Sequence, residues 1–155
     1  MLFMYKSLLG FLLFIAYLSA HAQTLTMSKV PPAAAHAFRA KYQAAQQESW
    51  EQIDTNKYQV AFFNAKKRQI ARFDRDGKWI ETETEVNFSQ VPRAISNAVS
   101  KQFANYEVQQ VAQIESPDGS MTYEVVVFNA KGNYDVIFSA KGEVLKKEAG
   151  KVEGE

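Results

Sequence analysis

The chain reads as an α+β protein made of two tandem repeats, each one helix followed by a four-stranded antiparallel sheet packed on it. Three observations carry this expectation. SKVPPAAAHAFRAKY, from Ser28, returns as SQVPRAISNAVSKQF, from Ser89, with Ser, Val and Pro 61 residues apart. FFNAKKRQIARFDRDGKWIE returns as VFNAKGNYDVIFSAKGEVLK at an offset of 65. Within each copy a period near four gives way to a period of two, the change from helix to strand.

The first 22 residues are expected to be a signal peptide. Lys6 precedes an apolar run from Leu8 to Leu18, and Ala20-His21-Ala22 supplies a small-residue cleavage pattern. The run is short for a membrane span. Residues 23–86 are then repeat one, 87–148 repeat two, and 149–155 a polar tail. Ser28 and Ser89 are the expected N-caps, with Pro31 and Pro92 in the first helical turn. Ala34, Phe38 and Tyr42 recur every four residues, as do Ile95, Val99 and Phe103, giving each helix one apolar stripe.

Strands follow in order. Trp50 to Ile53 and Val111 to Ile114 are the expected first strands. Tyr58-Val60-Phe62 and Tyr123-Val125-Val127 alternate and should face the helix. Gln69-Ala71-Phe73 and Tyr134-Val136-Phe138 mark one face of the third strands. Lys78 to Glu83 and Glu143 to Lys147 are the fourth. The Asn129–Gly132 and Ser116–Gly119 stretches have hairpin-turn chemistry.

Composition removes several function classes. Of 18 basic and 17 acidic residues, Lys6 is the only charge in the first 22, so the remainder is formally neutral. That balance argues against nucleic acid as a partner, and no later segment is apolar enough for stable membrane insertion after cleavage. With no cysteine there is no thiol nucleophile, thiolate metal site or disulfide. His36 is the one histidine beyond the signal. It sits between apolar helix positions, and its counterpart is Asn97. No enzyme, no catalytic residue and no cofactor is expected.

The stretch RFDRDGKWIETETE tests for a metal. Asp74, Asp76, Gly77 and Glu83 stand at the third, fifth, sixth and twelfth positions of a calcium loop. Arg72 occupies the first, where an oxygen is required, and the second copy keeps only the Phe and the Gly. The stretch is therefore expected to be a hairpin turn, and no metal ligand is assigned. Pairing Phe73 with Lys78 would set Arg72 opposite Trp79, Arg68 opposite Glu83 and Lys66 opposite Glu85. Arg72 would then lie over the Trp79 ring. Glu81, Glu83 and Glu85 are expected on a solvated strand face rather than as a catalytic acid pair.

The sheet face away from the helix carries Ala61, Phe63, Ile70 and Arg72 in copy one, and Val126, Phe128 and Ile137 in copy two. A one-sided sheet should be polar there, and apolar patches mark interaction surfaces. Phe63, Arg72, Trp79, Phe128 and Ile137 are the candidate partner-binding residues.

The order V-P-x-A, F-x-x-K-Y, W-E, Y-x-V-x-F and F-D-x-x-G-K-W resembles the secreted PepSY-like, β-lactamase-inhibitor-like proteins over nearly all of the chain beyond residue 22. The resemblance implies tandem helix-plus-four-strand modules, an extracytoplasmic location and no enzymatic activity. The expected function is an exported, non-catalytic module that binds a protein or peptide, as an inhibitor of an envelope or secreted enzyme in one form. The alternatives are a self-associating envelope protein, with a homodimer as its simplest state, and a divalent-cation binder. The location is periplasmic or secreted.

Overall fold

The computed structural model describes residues 23–150. The expected signal peptide and most of the expected tail lie outside them. The described chain forms nine strands and two α-helices: β1 (Gln23–Leu25), α1 (Pro32–Lys41), β2 (Gln46–Asp54), β3 (Lys57–Asn64), β4 (Lys67–Asp74), β5 (Trp79–Glu85), α2 (Arg93–Gln102), β6 (Glu107–Glu115), β7 (Met121–Asn129), β8 (Gly132–Ser139) and β9 (Val144–Ala149). Short 3-10 turns, Met27–Lys29 and Phe88–Gln90, precede the helices.

The expected architecture of two modules, each with its own four-stranded sheet, is corrected here. All nine strands belong to one sheet, ordered β1 to β9 in sequence order. Local alternation predicts strands, but it does not say where one sheet stops. That depends on whether an edge strand finds a backbone partner, because unpaired N–H and C=O groups favour extending the ladder. The α+β class stands. By compactness the described chain divides into residues 23–84 with 115–120, and residues 85–114 with 121–150.

In the first unit, α1 buries Ala34 and Phe38 against Trp50, Tyr58, Val60, Phe62, Ala71 and Phe73. Phe38 meets Trp50 and Phe62 edge-on, with centroids 5.5 and 4.9 Å apart, the geometry ring quadrupoles favour. The second unit builds the equivalent layer from smaller groups. Ile95, Val99 and Phe103 pack on Val111, Val125, Val127, Val136 and Phe138.

Helix starts differ from expectation. Ser28 and Ser89 lie in the 3-10 turns, and Pro31 and Pro92 are the N-caps, neither offering a side-chain hydrogen bond. Proline presets the entry backbone, and its missing N–H leaves nothing unsatisfied. Strand β2 begins at Gln46, earlier than alternation suggested, because its first four residues are exposed on both faces; β6 begins at Glu107, also earlier, because Val108 is the one apolar residue in a polar start. Ala149, expected in the tail, pairs with Tyr134 in β9.

The β4–β5 turn explains the acidic stretch. Asp74 Oδ1 accepts hydrogen bonds from the N–H groups of Asp76 (3.0 Å) and Lys78 (2.8 Å). Its own N–H donates to the Lys78 carbonyl at 3.0 Å. Ser139 does the same work in the β8–β9 turn, its Oγ accepting from Lys141 and Glu143. Gly77 has φ +85°, and a Cβ there would stand 2.6 Å from the Ala33 carbonyl oxygen of α1; at Gly142 (φ +83°) it would stand 2.5 Å from that of Ala94. Both turns let helix backbone rest on turn backbone, and only glycine leaves room.

The β3–β4 turn is strained by comparison. Asn64 pairs with Lys67, and the two residues between, Ala65 (φ 49°) and Lys66 (φ 65°), hold left-handed backbone without being glycine. That is the conformation of a two-residue type I′ turn, costly for residues with a Cβ.

Two stability predictions follow from these turns. Gly77→Ala should lose roughly 2–4 kcal/mol in urea unfolding, from φ strain plus the contact with Ala33. Gly119→Ala, at φ +79° with nothing within 4 Å of its added Cβ, should lose only about 1 kcal/mol. Equal losses would show that the helix contact is unimportant. Lys66→Gly should gain roughly 0.5–1 kcal/mol by relieving the turn, read as a higher urea midpoint at unchanged slope.

Candidate functional site

Within each unit the helix covers one face of its strands, and strand alternation sends every second side chain to the other face. In the first unit that helix-free face carries Glu51 of β2, Gln59, Ala61 and Phe63 of β3, Ile70 and Arg72 of β4, and Glu81 and Glu83 of β5. Register aligns them in rows. Glu51 stands opposite Gln59, Gln59 opposite Arg72, and Arg72 opposite Glu81. In the next row Ala61 stands opposite Ile70, and Ile70 opposite Glu83.

This register corrects the expected pairs. Phe73 pairs with Trp79 while Arg72 pairs with Glu81, so Ile80 is an extra residue in a bulge. The turn closes one residue later than expected and the bulge adds another, so every later partner moves by two, and a bulge leaves no mark in an alternating sequence. Arg72 therefore faces a carboxylate rather than Trp79, and Glu83 lies opposite Ile70 rather than Arg68.

Arg72 Nη1 donates to Glu83 Oε1 at 2.6 Å and also to Glu81 Oε1. The site is largely dry: side-chain exposure is 11% for Arg72, 7% for Glu83 and 27% for Glu81. The solvated face expected for these glutamates is thus corrected at Glu83. Burial pushes the Glu83 carboxyl above the usual carboxylate range, and the guanidinium opposes that shift without overcoming it. Burial works against the Arg72 charge, but Glu83 and Glu81 outweigh it and raise its pKa. The two directions agree physically: two acids share one base, so the cation is over-compensated and one acid is under-compensated. Gln59 Nε2 donates to Glu51 Oε2 at 2.9 Å. Gln59 Oε1 and Glu83 Oε2 are buried without a hydrogen-bond partner.

Trp79 lies on the other side. Its ring packs against the core under α1, its Nε1–H donates to Thr82 Oγ1 at 2.9 Å, and Lys41 Nζ sits 3.6 Å from its centroid. The cation over this ring is therefore Lys41, not Arg72. Thr82 Oγ1 also shares a hydrogen bond with the Tyr42 hydroxyl. Burial pushes the Tyr42 phenol up to about 12, against the effect of that bond.

Phe63 is 38% exposed, and so is Phe128 on the helix-free face of the second unit. Ile137, expected beside Phe128, is partly buried. It stands where Arg72 stands in the first unit, 65 residues earlier, and faces Lys146. Asp135 faces Glu148, and burial, reinforced by Glu148, pushes its carboxyl up against the pull of Lys146. Of the five candidate residues, Phe63 and Arg72 share one face of the first unit, Phe128 and Ile137 one face of the second, and Trp79 is on the helix side. Sequence reasoning missed Gln59 and the burial of Glu83. The glutamate alternation along β5 was visible, but the register linking it to Arg72 was not.

His36 is exposed on α1. Among the described residues no group of three or more His, Cys, Asp or Glu side chains could hold a metal ion, and no helix is long and apolar enough to cross a membrane.

Arg72→Met should test the balance at this site. It leaves Glu83 buried without its cation, a loss of roughly 3–5 kcal/mol at about pH 8. A carboxyl whose folded-state pKa lies above its unfolded value destabilises the fold increasingly as pH rises from the unfolded value through the folded one. Without Arg72 that rise is larger, so the deficit against wild type should shrink in a second measurement at about pH 5, closer to the unfolded-state carboxyl value. A deficit of equal size at both pH values would show that Glu83 is not the group left uncompensated.

Comparison with known proteins places these features in a family. A family model described as β-lactamase-inhibitor-like and PepSY-like matches residues 56–146. Among solved structures, a Bacteroides eggerthii DSM 20697 protein assigned by inference to the periplasm superposes with a TM-score of 0.72 at 25% identity, covering 77% of this chain and 88% of its own. A BLIP-like protein from Bacteroides fragilis NCTC 9343 gives 0.66 at 25% identity, covering 79% and 89%. A DUF2874 family protein from Bacteroides uniformis ATCC 8492 gives 0.71 at 23% identity, covering 77% and 88%, and shares the fold. No curated protein matches the chain. With more than half its length matched by the family model, the chain belongs to the PepSY-like, β-lactamase-inhibitor-like family.

Proposed function

We propose that this protein is an exported, non-catalytic module that docks a protein or peptide on the helix-free strand faces of its units. One observation carries the reading. Phe63 and Phe128, 65 residues apart in sequence, each keep 38% of their surface exposed on the helix-free face of their own unit. Two large aromatic side chains left open at equivalent places are expensive to hydrate, and they are the residue type enriched at binding surfaces. Residues 1–22, read as a signal peptide, and the periplasmic description of the B. eggerthii neighbour support export. The family description, and the BLIP-like description of the B. fragilis neighbour, support inhibition of an envelope or secreted enzyme as the form such docking takes.

The test is a double variant, Phe63→Asp with Phe128→Asp, in the mature chain. It should unfold cooperatively within a few degrees of wild type yet no longer retain a partner from an envelope extract. Retention at wild-type level would overturn the reading. Light scattering on both proteins adds a control: a wild-type dimer that the double variant converts to monomer identifies self-association as the use of this face instead.

A further inference from the structure

We propose that the helix-free face of β2–β5 receives a cationic side chain, lysine or arginine, from the protein partner, at the row Glu51–Gln59–Arg72–Glu81 and the adjoining Glu83. This rests on the docking reading above and adds the partner's chemistry to it.

Charge is the first argument. Glu81 and Glu83 contact the Arg72 guanidinium, and Glu51 ends the same row with its carboxylate on Gln59, so these four charged side chains sum formally to −2; Arg68, next after Ile70 on this face, stands opposite Phe63. Low water content makes that deficit act strongly on an incoming cation. Hydrogen bonding is the second argument. Gln59 is 5% exposed and Glu83 6%, and each holds an acceptor oxygen with no donor. Both are immediate neighbours of Arg72, one as its cross-strand partner and one through a 2.6 Å hydrogen bond. Buried acceptors of this kind are normally matched, and lysine and arginine bring donors with charge.

Access and shape are the third. Glu51 and Glu81, at the two ends of the row, remain partly exposed, so a cation can reach the row from solvent. Gln59, Ala61 and Phe63 follow one another along the same face of β3. They offer a small and then a large apolar surface for the alkyl stem of a lysine whose ammonium lies at the carboxylates. A divalent ion suits the group less well. The Arg72 guanidinium already sits on an oxygen of both Glu81 and Glu83 and would repel a dication at contact distance.

The test uses the mature chain and a capped peptide with one lysine between leucines, followed by amide chemical shifts. The shifts of Glu51, Gln59 and Glu81 should move and saturate with this peptide. The counterpart with norleucine for lysine should leave them in place, and Glu81→Gln should weaken binding at least tenfold. Glu51→Gln is the second variant should Glu81→Gln disturb the spectrum. No lysine-dependent shift at millimolar peptide, or equal binding of the norleucine peptide, would overturn the proposal. So would calcium chloride displacing the peptide and moving the same amides, which would identify a metal site. Partner capture separates this inference from the docking reading. Capture that needs Phe63 and Phe128 but ignores Glu81→Gln and Glu51→Gln sinks the cation site alone. Capture that ignores all four positions sinks both.

Discussion

Each helix rests on the strands of its unit because the turn beneath it has no side chain. Gly77 below Ala33 and Gly142 below Ala94 let backbone meet backbone, and this contact sets how deeply the helix stripe reaches the strands. With the helix seated, Phe38 reaches Trp50, Phe62 and Phe73 in the first unit, and Ile95 and Val99 reach the valines of the second. The turn side chains then become interpretable. Asp74 and Ser139 hold their turns by accepting backbone N–H groups, a role a carboxylate and a hydroxyl fill equally well. The aspartate looked like a metal ligand because acidic loops and tight turns use the same residue types.

The two units reach similar burial by different means. Where the first places Ala34 and Phe38, the second places Ile95 and Val99. A small residue beside a large one is replaced by two of middle size. Across the sheet, Trp50, Phe62 and Ala71 give way to Val111, Val127 and Val136. Close packing demands that total volume fit, and it tolerates many distributions of that volume. The identity of the core residues could therefore drift while the pattern of buried positions stayed.

The helix-free faces diverge in chemistry for the opposite reason. No helix presses on them, so core packing constrains them less. Arg72 and Glu81 in the first unit correspond to Ile137 and Lys146 in the second. Only the aromatic pair Phe63 and Phe128 is held in common with matching exposure. A shared aromatic with a divergent polar neighbourhood fits a surface whose anchor is general and whose selectivity is local.

Hydrophobic periodicity alone determined the helices, the strand faces, the buried stripe and the turn glycines, because each depends on side-chain spacing within about ten residues. It also singled out Phe63 and Phe128, since an apolar residue in a polar phase is visible without a structure. The joining of nine strands into one sheet, the short strand Gln23–Leu25 and the bulge at Ile80 belonged to the tertiary structure. Each is a matter of which backbone groups find partners, and side-chain pattern carries no trace of it. The bulge mattered most for the site. Together with a turn closed one residue later than expected, it moved the partner of Arg72 two residues along β5, from Trp79 to Glu81, and so set the guanidinium against Glu81 and Glu83.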